Sequence, residues 1–205
     1  MGDTRQRIVN ATTVLLQQRG YAATSVKDIT AAAPATVGSV YHFFPGGKAE
    51  LVAAVIDESG AAYRDLFELI TSEVDDPADA FAHFFTSAAD ALEESGFVDI
   101  CPIGTLAAEV ASSDEALRQA TQRAFASWET ALTAKLVGGG LTGADAASLA
   151  TTMIALIEGS FVLARSRRDA DLVRRAGQHA KTLIGAAQVA ANRSTPLPSG
   201  SLTVA

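Results

Sequence analysis

The first forty-five or so residues are cut by helix-start and helix-stop signals into three short segments. In the first, Ile8, Ala11, Leu15 and Leu16 recur at helical spacing, and Gly20 stands where a left-handed cap ends a helix. This spacing predicts a helix over about 4–19. Thr24 and Ser25 then offer capping hydroxyls ahead of Val26, Ile29 and Ala33, with Asp28 placed for the positive end of the helix dipole, which predicts a second helix over 25–33. After Pro34-Ala35, Thr36 can cap the segment VGSVYHF, which stops at Phe44-Pro45-Gly46-Gly47. Such pieces are stable only if they pack on one another and on the rest of the chain.

From Lys48 the helical pattern resumes through Leu51, Val52, Val55, Ile56, Tyr63, Leu66, Phe67 and Ile70, long enough to join a small head to a larger body. Further helices are expected over 77–95, 103–112, 114–137, 143–166 and 169–191. They are separated by Asp75-Asp76-Pro77, Ser95-Gly96, Cys101-Pro102, Ser112-Ser113-Asp114 and Gly138-Gly139-Gly140. No alternating pattern of strand length and no fixed-period repeat is present. The expected fold is all-α with about nine helices: a helix-turn-helix head over 1–48, a helical body over 49–191, and a disordered, Ser- and Pro-rich tail over 192–205. With 48% hydrophobic residues, the chain can bury a sizeable core. Apolar residues never run unbroken for the length of a bilayer span, the N-terminus is polar, and Cys101 is the single cysteine. These features lead us to expect a soluble, cytoplasmic protein without signal peptide or disulfide.

A formal net charge of −7 argues at first against a polyanionic partner. The distribution qualifies that argument, because residues 1–50 carry +2 and residues 51–205 carry −9. Only the head suits DNA. Its layout is that of a helix-turn-helix, in which the second helix enters the major groove while the first crosses the backbone. Gly38 and Ser39 would allow close approach, and Tyr41, His42 and Lys48 can donate hydrogen bonds or charge to phosphates.

The ordered string Ile8, Ala11, Leu15, Gly20-Tyr21, Thr24-Ser25-Val26, Asp28-Ile29, Ala33, Thr36, Gly38-Ser39-Val40-Tyr41-His42, Phe44-Pro45, Lys48 and Leu51 resembles the N-terminal domain of the tetracycline-repressor (TetR) family of bacterial regulators. GSVYHFFPGGK is similar to the form found in the LmrA/YxaF-type subgroup. CPIGTLAAEVA, Trp128 after Phe125, and Ile157-Glu158-Gly159-Ser160 followed by Ala164-Arg165 resemble the C-terminal domain of that subgroup. The resemblance implies that Thr24, Ser25, Tyr41, His42 and Lys48 hold the sugar-phosphate backbone, and that Thr36, Val37, Gly38 and Ser39 face base edges. Two residues depart from the family pattern. The turn residue usually filled by Gly is Pro34, whose ring opposes positive φ and predicts an altered turn, and a position often basic is Val37, which cannot pair bidentately with guanine but can pack on a thymine methyl.

In the body, Phe81, Phe84, Phe85, Phe97, Phe125, Trp128, Met153 and Phe161 lie on helices that must converge, beside Cys101 and Ile157. Taken singly, each is better explained by core packing; the resemblance implies a cavity among these helices for a small apolar or aromatic effector. The last two helices carry small residues at Ala146, Ala147, Ala150 and Ala155, suited to close packing in a homodimer. No catalytic signature is present, no cofactor is expected, and His42, His83 and His179 form no ligand pair, so neither an enzyme nor a metal site is expected. The expected function is a transcriptional regulator, a repressor released from a palindromic operator by a hydrophobic effector. The alternative is a helical carrier of hydrophobic ligands whose head has lost specific DNA binding through Pro34 and Val37; an enzyme acting on an apolar substrate ranks third.

Overall fold

The computed structural model describes residues 2–98 and 101–194. Among the described residues the chain forms nine helices: α1 (Gly2–Arg19), α2 (Val26–Ala32), α3 (Val37–Phe43), α4 (Lys48–Thr71), α5 (Pro77–Glu94), α6 (Pro102–Val110), α7 (Glu115–Gly138), α8 (Gly143–Arg167) and α9 (Asp171–Ser194).

Helix starts coincide with the capping oxygens that the sequence supplies. Ser25 accepts from the Asp28 N–H while the Asp28 carboxylate accepts from the Ser25 N–H, closing a capping box at α2. Thr36 caps α3 through the Ser39 N–H, and Asp76, Asp114 and Thr142 cap α5, α7 and α8 in the same way. Each such cap contributes about 1 kcal/mol. Pro77 and Pro102 occupy first-turn positions, where a missing N–H costs nothing. Boundaries differ from expectation by a few residues. Helix α9 continues through Asn192, Arg193 and Ser194, which the sequence pattern assigns to the tail, and the rest of that expected tail, 195–205, lies outside the described residues.

Helices α1 to α3 bury Ile8, Leu16, Ile29, Val40 and Phe44 against Leu51, Val52, Val55 and Ile56 of α4, so the head and the start of α4 share one core. The turn at Pro34 corrects the sequence-based expectation, because Pro34 adopts φ 23, far from the roughly −65° its ring prefers. The turn is closed on both sides by backbone bonds, Ala33 N–H to Ile29 O at 2.9 Å and Ala35 N–H to Thr30 O at 3.2 Å. Burial of Ile29, Ala33 and Val40 holds α2 and α3 in place, and the local strain falls on the proline.

Beyond the head, α4 lies on α7, α7 on α8, α8 on α9, and α9 returns to pack along α5. The backbones of α4 and α7 approach closely at Gly60, where a Cβ would come within 2.8 Å of the Ala124 Cβ, and the Trp128 indole N–H donates to the Gly60 carbonyl at 2.7 Å. At the far end of α4, the Lys135 ammonium donates to the Thr71 and Val74 carbonyls. Helix α8 is long and apolar enough to cross a membrane by length and composition, yet one side of it packs on α7 and α9. The small residues expected on an open dimer face divide between those two sides: Ala146 and Ala150 are buried within the chain, whereas Ala147 and Ala155 are exposed.

The α5–α9 seam is drawn tight by Gly177, where a Cβ would lie 2.6 Å from the Phe85 Cβ, and is edged by Arg174 pairing with Asp90, Glu93 and Asp171. Alanine is a better helix former than glycine by about 1 kcal/mol, but overpacking costs about 1–3 kcal/mol. The overlap is with a side-chain root that cannot swing away, so the steric term wins. Gly177→Ala should therefore lower the thermal midpoint by about 2–4 °C per kcal/mol lost, measured by circular dichroism; an unchanged or raised midpoint would show that the seam can open at no cost.

Candidate nucleic-acid interface and ligand cavity

Helix α3 is amphipathic across its two turns. Val40 and the cap residue Phe44 point inward, while Thr36, Val37, Gly38, Tyr41 and His42 form a continuous exposed face. Val37 and Tyr41 are about half exposed, at 49% and 51%. Thr36 Oγ1 lies 2.9 Å from Ser39 Oγ, so the two hydroxyls are preset beside the helix start. The His42 ring packs edge-on against Phe43 at 5.0 Å between centroids, and Tyr41 rests against Gly47, where φ is 71 and a Cβ would crowd the Tyr41 ring at 3.2 Å.

Two expected phosphate ligands are otherwise employed. Thr24 is buried, and its hydroxyl donates to the Gly20 carbonyl at 2.8 Å. Lys48 donates to the Tyr21 carbonyl at 2.5 Å and lies 3.9 Å above the Tyr21 ring, a half-buried setting that pushes its ammonium pKa down. In this conformation both hold the α1–α2 turn instead of projecting toward a partner. Arg5 is likewise committed, to Glu58 at 2.8 Å and over the Phe44 ring. Arg19, Ser25 and Lys27 remain exposed. Sequence reasoning missed Glu109 of α6, whose carboxylate accepts from the Tyr21 and Ala22 N–H groups at 2.7 and 2.6 Å and so clamps the body to the head. Gly20, at φ 75, makes this possible, because a Cβ there would lie 2.7 Å from the same carboxylate.

In the body, α4, α5, α7 and α8 enclose a cavity of about 400 Å³. Of the residues expected at a ligand site, Phe84, Cys101, Trp128, Ile157 and Phe161 line it. Phe81, Phe85 and Phe125 sit one ring behind the wall, each in contact with a lining ring: Phe81 with Phe67 at 5.3 Å, Phe85 with Phe84 at 6.3 Å, and Phe125 with Trp128 at 5.3 Å. Met153 is in the core, and Phe97 occupies the turn after α5 at φ 66, outside the lining. The helical phase explains the division, since α5 turns Phe81, Phe85, Ala89 and Leu92 into the core and Phe84, Ser87, Ala88 and Ala91 to the cavity. Tyr63 and Phe67 of α4 also line the cavity, as does Glu158 of α8, which the sequence marks only as part of a motif.

Residues 8–55 match the family described as "Bacterial regulatory proteins, tetR family", and residues 77–179 match "Transcriptional regulator LmrA/YxaF-like, C-terminal domain". The regulator YxaF of Bacillus subtilis is 33% identical over 82% of this chain and 88% of its own length. The chain belongs to the TetR family. LmrA of the same organism is 30% identical over 82% of this chain and 89% of its own length. A TetR-family regulator from Cytophaga hutchinsonii superimposes with a TM-score of 0.79 at 25% identity, covering 91% of this chain and 95% of that one. This TetR-family protein is therefore a DNA-binding transcriptional regulator rather than an enzyme, and regulators of this family bind operator DNA as dimers.

Glu158 is the chemically distinctive group of the regulator's cavity. It projects from α8 toward the start of α6, where Gly104 lacks the Cβ that would overlap its carboxylate. Burial raises its pKa to about 7, moderated by the neighbouring Cys101 thiol. That thiol is itself pushed well up, first by burial and then by Glu158, which leaves it protonated and unreactive. A carboxyl whose folded pKa lies above its unfolded value of 4.5 binds more protons when folded, so stability falls as pH rises from about 4.5 to about 7 and levels off above. The full loss is about 3 kcal/mol at about 1.4 kcal/mol per unit. Melting curves of wild type and Glu158→Gln across this range should diverge, with the variant gaining on wild type as pH rises. Parallel curves would show that Glu158 ionises as easily folded as unfolded.

Proposed function

We propose that the regulator is a repressor that grips a palindromic operator with α3, one helix from each protomer of a homodimer, and lets go when a small, largely apolar molecule fills the body cavity. The observation that carries this reading is the solvent-facing surface of α3, where Thr36, Val37, Gly38, Tyr41 and His42 are exposed on a helix capped and anchored from behind. Tyr41 and His42 would hold phosphates together with Ser25 and Lys27. Thr36 and Ser39 would supply hydroxyls to base edges, and Val37 would pack on a thymine methyl. The dimer would form through α8 and α9, whose outer faces leave Val162, Leu163, Leu183 and Val189 exposed, Val162 at 64%. Such a dimer would set the two α3 helices about one DNA turn, roughly 34 Å, apart. The protein would act in the cytoplasm, where its operator is.

Helix α4 links the two activities. It begins at Lys48, four residues after α3 ends its last turn at Phe44, and its middle supplies Tyr63 and Phe67 to the cavity wall. A ligand wedged between α4, α5 and α8 favours whichever tilt of α4 gives it more room, and thereby changes the separation of the two heads. The ligand shifts the balance only by its differential affinity for the two states.

Selection of genomic fragments at about 0.1 M salt, followed by anisotropy on the best fragment, tests the DNA arm. Wild type should enrich a two-fold-symmetric sequence, and Tyr41→Ala/His42→Ala should weaken binding by at least about tenfold, or about 1.4 kcal/mol, without lowering the melting temperature. Failure of the wild-type dimer to discriminate any fragment would sink the operator reading. The dimer arm has its own test. Val162→Glu/Leu163→Glu places two carboxylates on the exposed face of α8 and should give a folded monomer by sedimentation, with operator affinity reduced in step; an intact dimer would locate the interface elsewhere.

A further inference from the structure

We infer that the cavity takes a ligand with a protonated amine on an aromatic or apolar body, the ammonium group seated against Glu158 and the body among the cavity's rings. This rests on the reading of the cavity as the regulator's ligand site and names the chemistry that site selects. Among the described residues Glu158 is the acidic residue of the lining, and none of their ion pairs involves it. Its carboxylate is accommodated by the backbone, in the space left by Gly104. Trp128, Phe84, Phe161 and Tyr63 line the same cavity, and the face of an aromatic ring attracts a cation. A carboxylate in an apolar, ring-lined space is destabilised by lost hydration, and a ligand that brings its own positive charge restores the missing counter-charge.

The other titratable groups around the cavity do not supply that charge. Arg64, from α4, lines it too, but its guanidinium is held by Asp65 through two bonds of 3.0 and 2.6 Å and is partly exposed. Tyr63, also from α4, and Cys101 at the head of α6 have no cationic form, while α5 and α7 contribute no titratable lining residue and α1 contributes Gln17. A neutral ligand would leave Glu158 to take up a proton. An anionic ligand would meet like charge.

Trp128 is the single tryptophan and lines the cavity, so its emission reports occupancy directly. The full-length dimer is titrated with phenylbutylamine, cationic throughout the range used, and with its neutral counterpart phenylbutanol, at about pH 6 and about pH 8. Ionisation of a group with pKa about 7 predicts about tenfold tighter binding of the amine at the higher pH. Glu158→Gln should remove that dependence and weaken the amine about tenfold at the higher pH, without weakening the alcohol. The inference is overturned if the alcohol binds as tightly as the amine, if the amine's affinity ignores pH, or if Glu158→Gln matches wild type; in those cases the cavity still binds ligand. If neither compound perturbs Trp128 in folded protein, the cavity itself fails as the ligand site. The wild-type pH comparison stands even where the variant does not fold.

Discussion

Most of this structure depends on the contact where α4 crosses α7. Gly60 lets the two backbones meet at a distance that any side chain would forbid, and the Trp128 indole N–H ties across the gap to the Gly60 carbonyl. Because α4 also supplies Leu51, Val52, Val55 and Ile56 to the head core, this crossing sets where the head stands relative to the body. The same indole is a wall of the cavity. A single side chain therefore touches the helix that carries the head and the space in which a ligand would sit, which would be the physical basis for the proposed coupling of the two.

A second connection runs through α6. Its N-terminal end carries Cys101, and Gly104 faces the Glu158 carboxylate; near its other end Glu109 holds the Tyr21 and Ala22 amides of the head. A short, stiff helix spanning cavity and head transmits displacement more directly than a loop would. Lys48 reinforces the joint by holding the Tyr21 carbonyl from the α4 side, so the α1–α2 turn is fastened by an acid from one helix and a base from another. This joint also bears on how an acidic chain reads DNA. Of the bases in the first fifty residues, Arg5 and Lys48 serve the fold, so under the proposed reading sequence preference would fall to the exposed face of α3 and affinity to the pairing of two heads.

Much of the architecture was legible in the sequence because helix boundaries are written in local chemistry. Ser25, Thr36, Asp76, Asp114 and Thr142 cap the helices they precede, and the apolar spacing from Leu51 to Ile70 marks α4. The exposed face of α3 was legible too, since a two-turn helix anchored by Val40 has one way to turn Thr36, Val37 and Tyr41 outward. Pro34 departs from expectation for the opposite reason: a ring's intrinsic preference is a local energy, and the burial of Ile29, Ala33 and Val40 on either side outweighs it.

What the sequence determined by itself was therefore the set of helices, their order and the membership of the family, because these rest on periodicity, caps and a recognisable string of residues. Tertiary structure decided which face of each helix meets which neighbour. It placed Phe84 on the cavity and Phe81 in the core one turn away, and turned Thr24 and Lys48 inward. It also brought Glu158 to Gly104 and Glu109 to Tyr21 across long stretches of chain. Such pairings depend on helix rotation and close approach in three dimensions, and no spacing along a single chain encodes them in readable form.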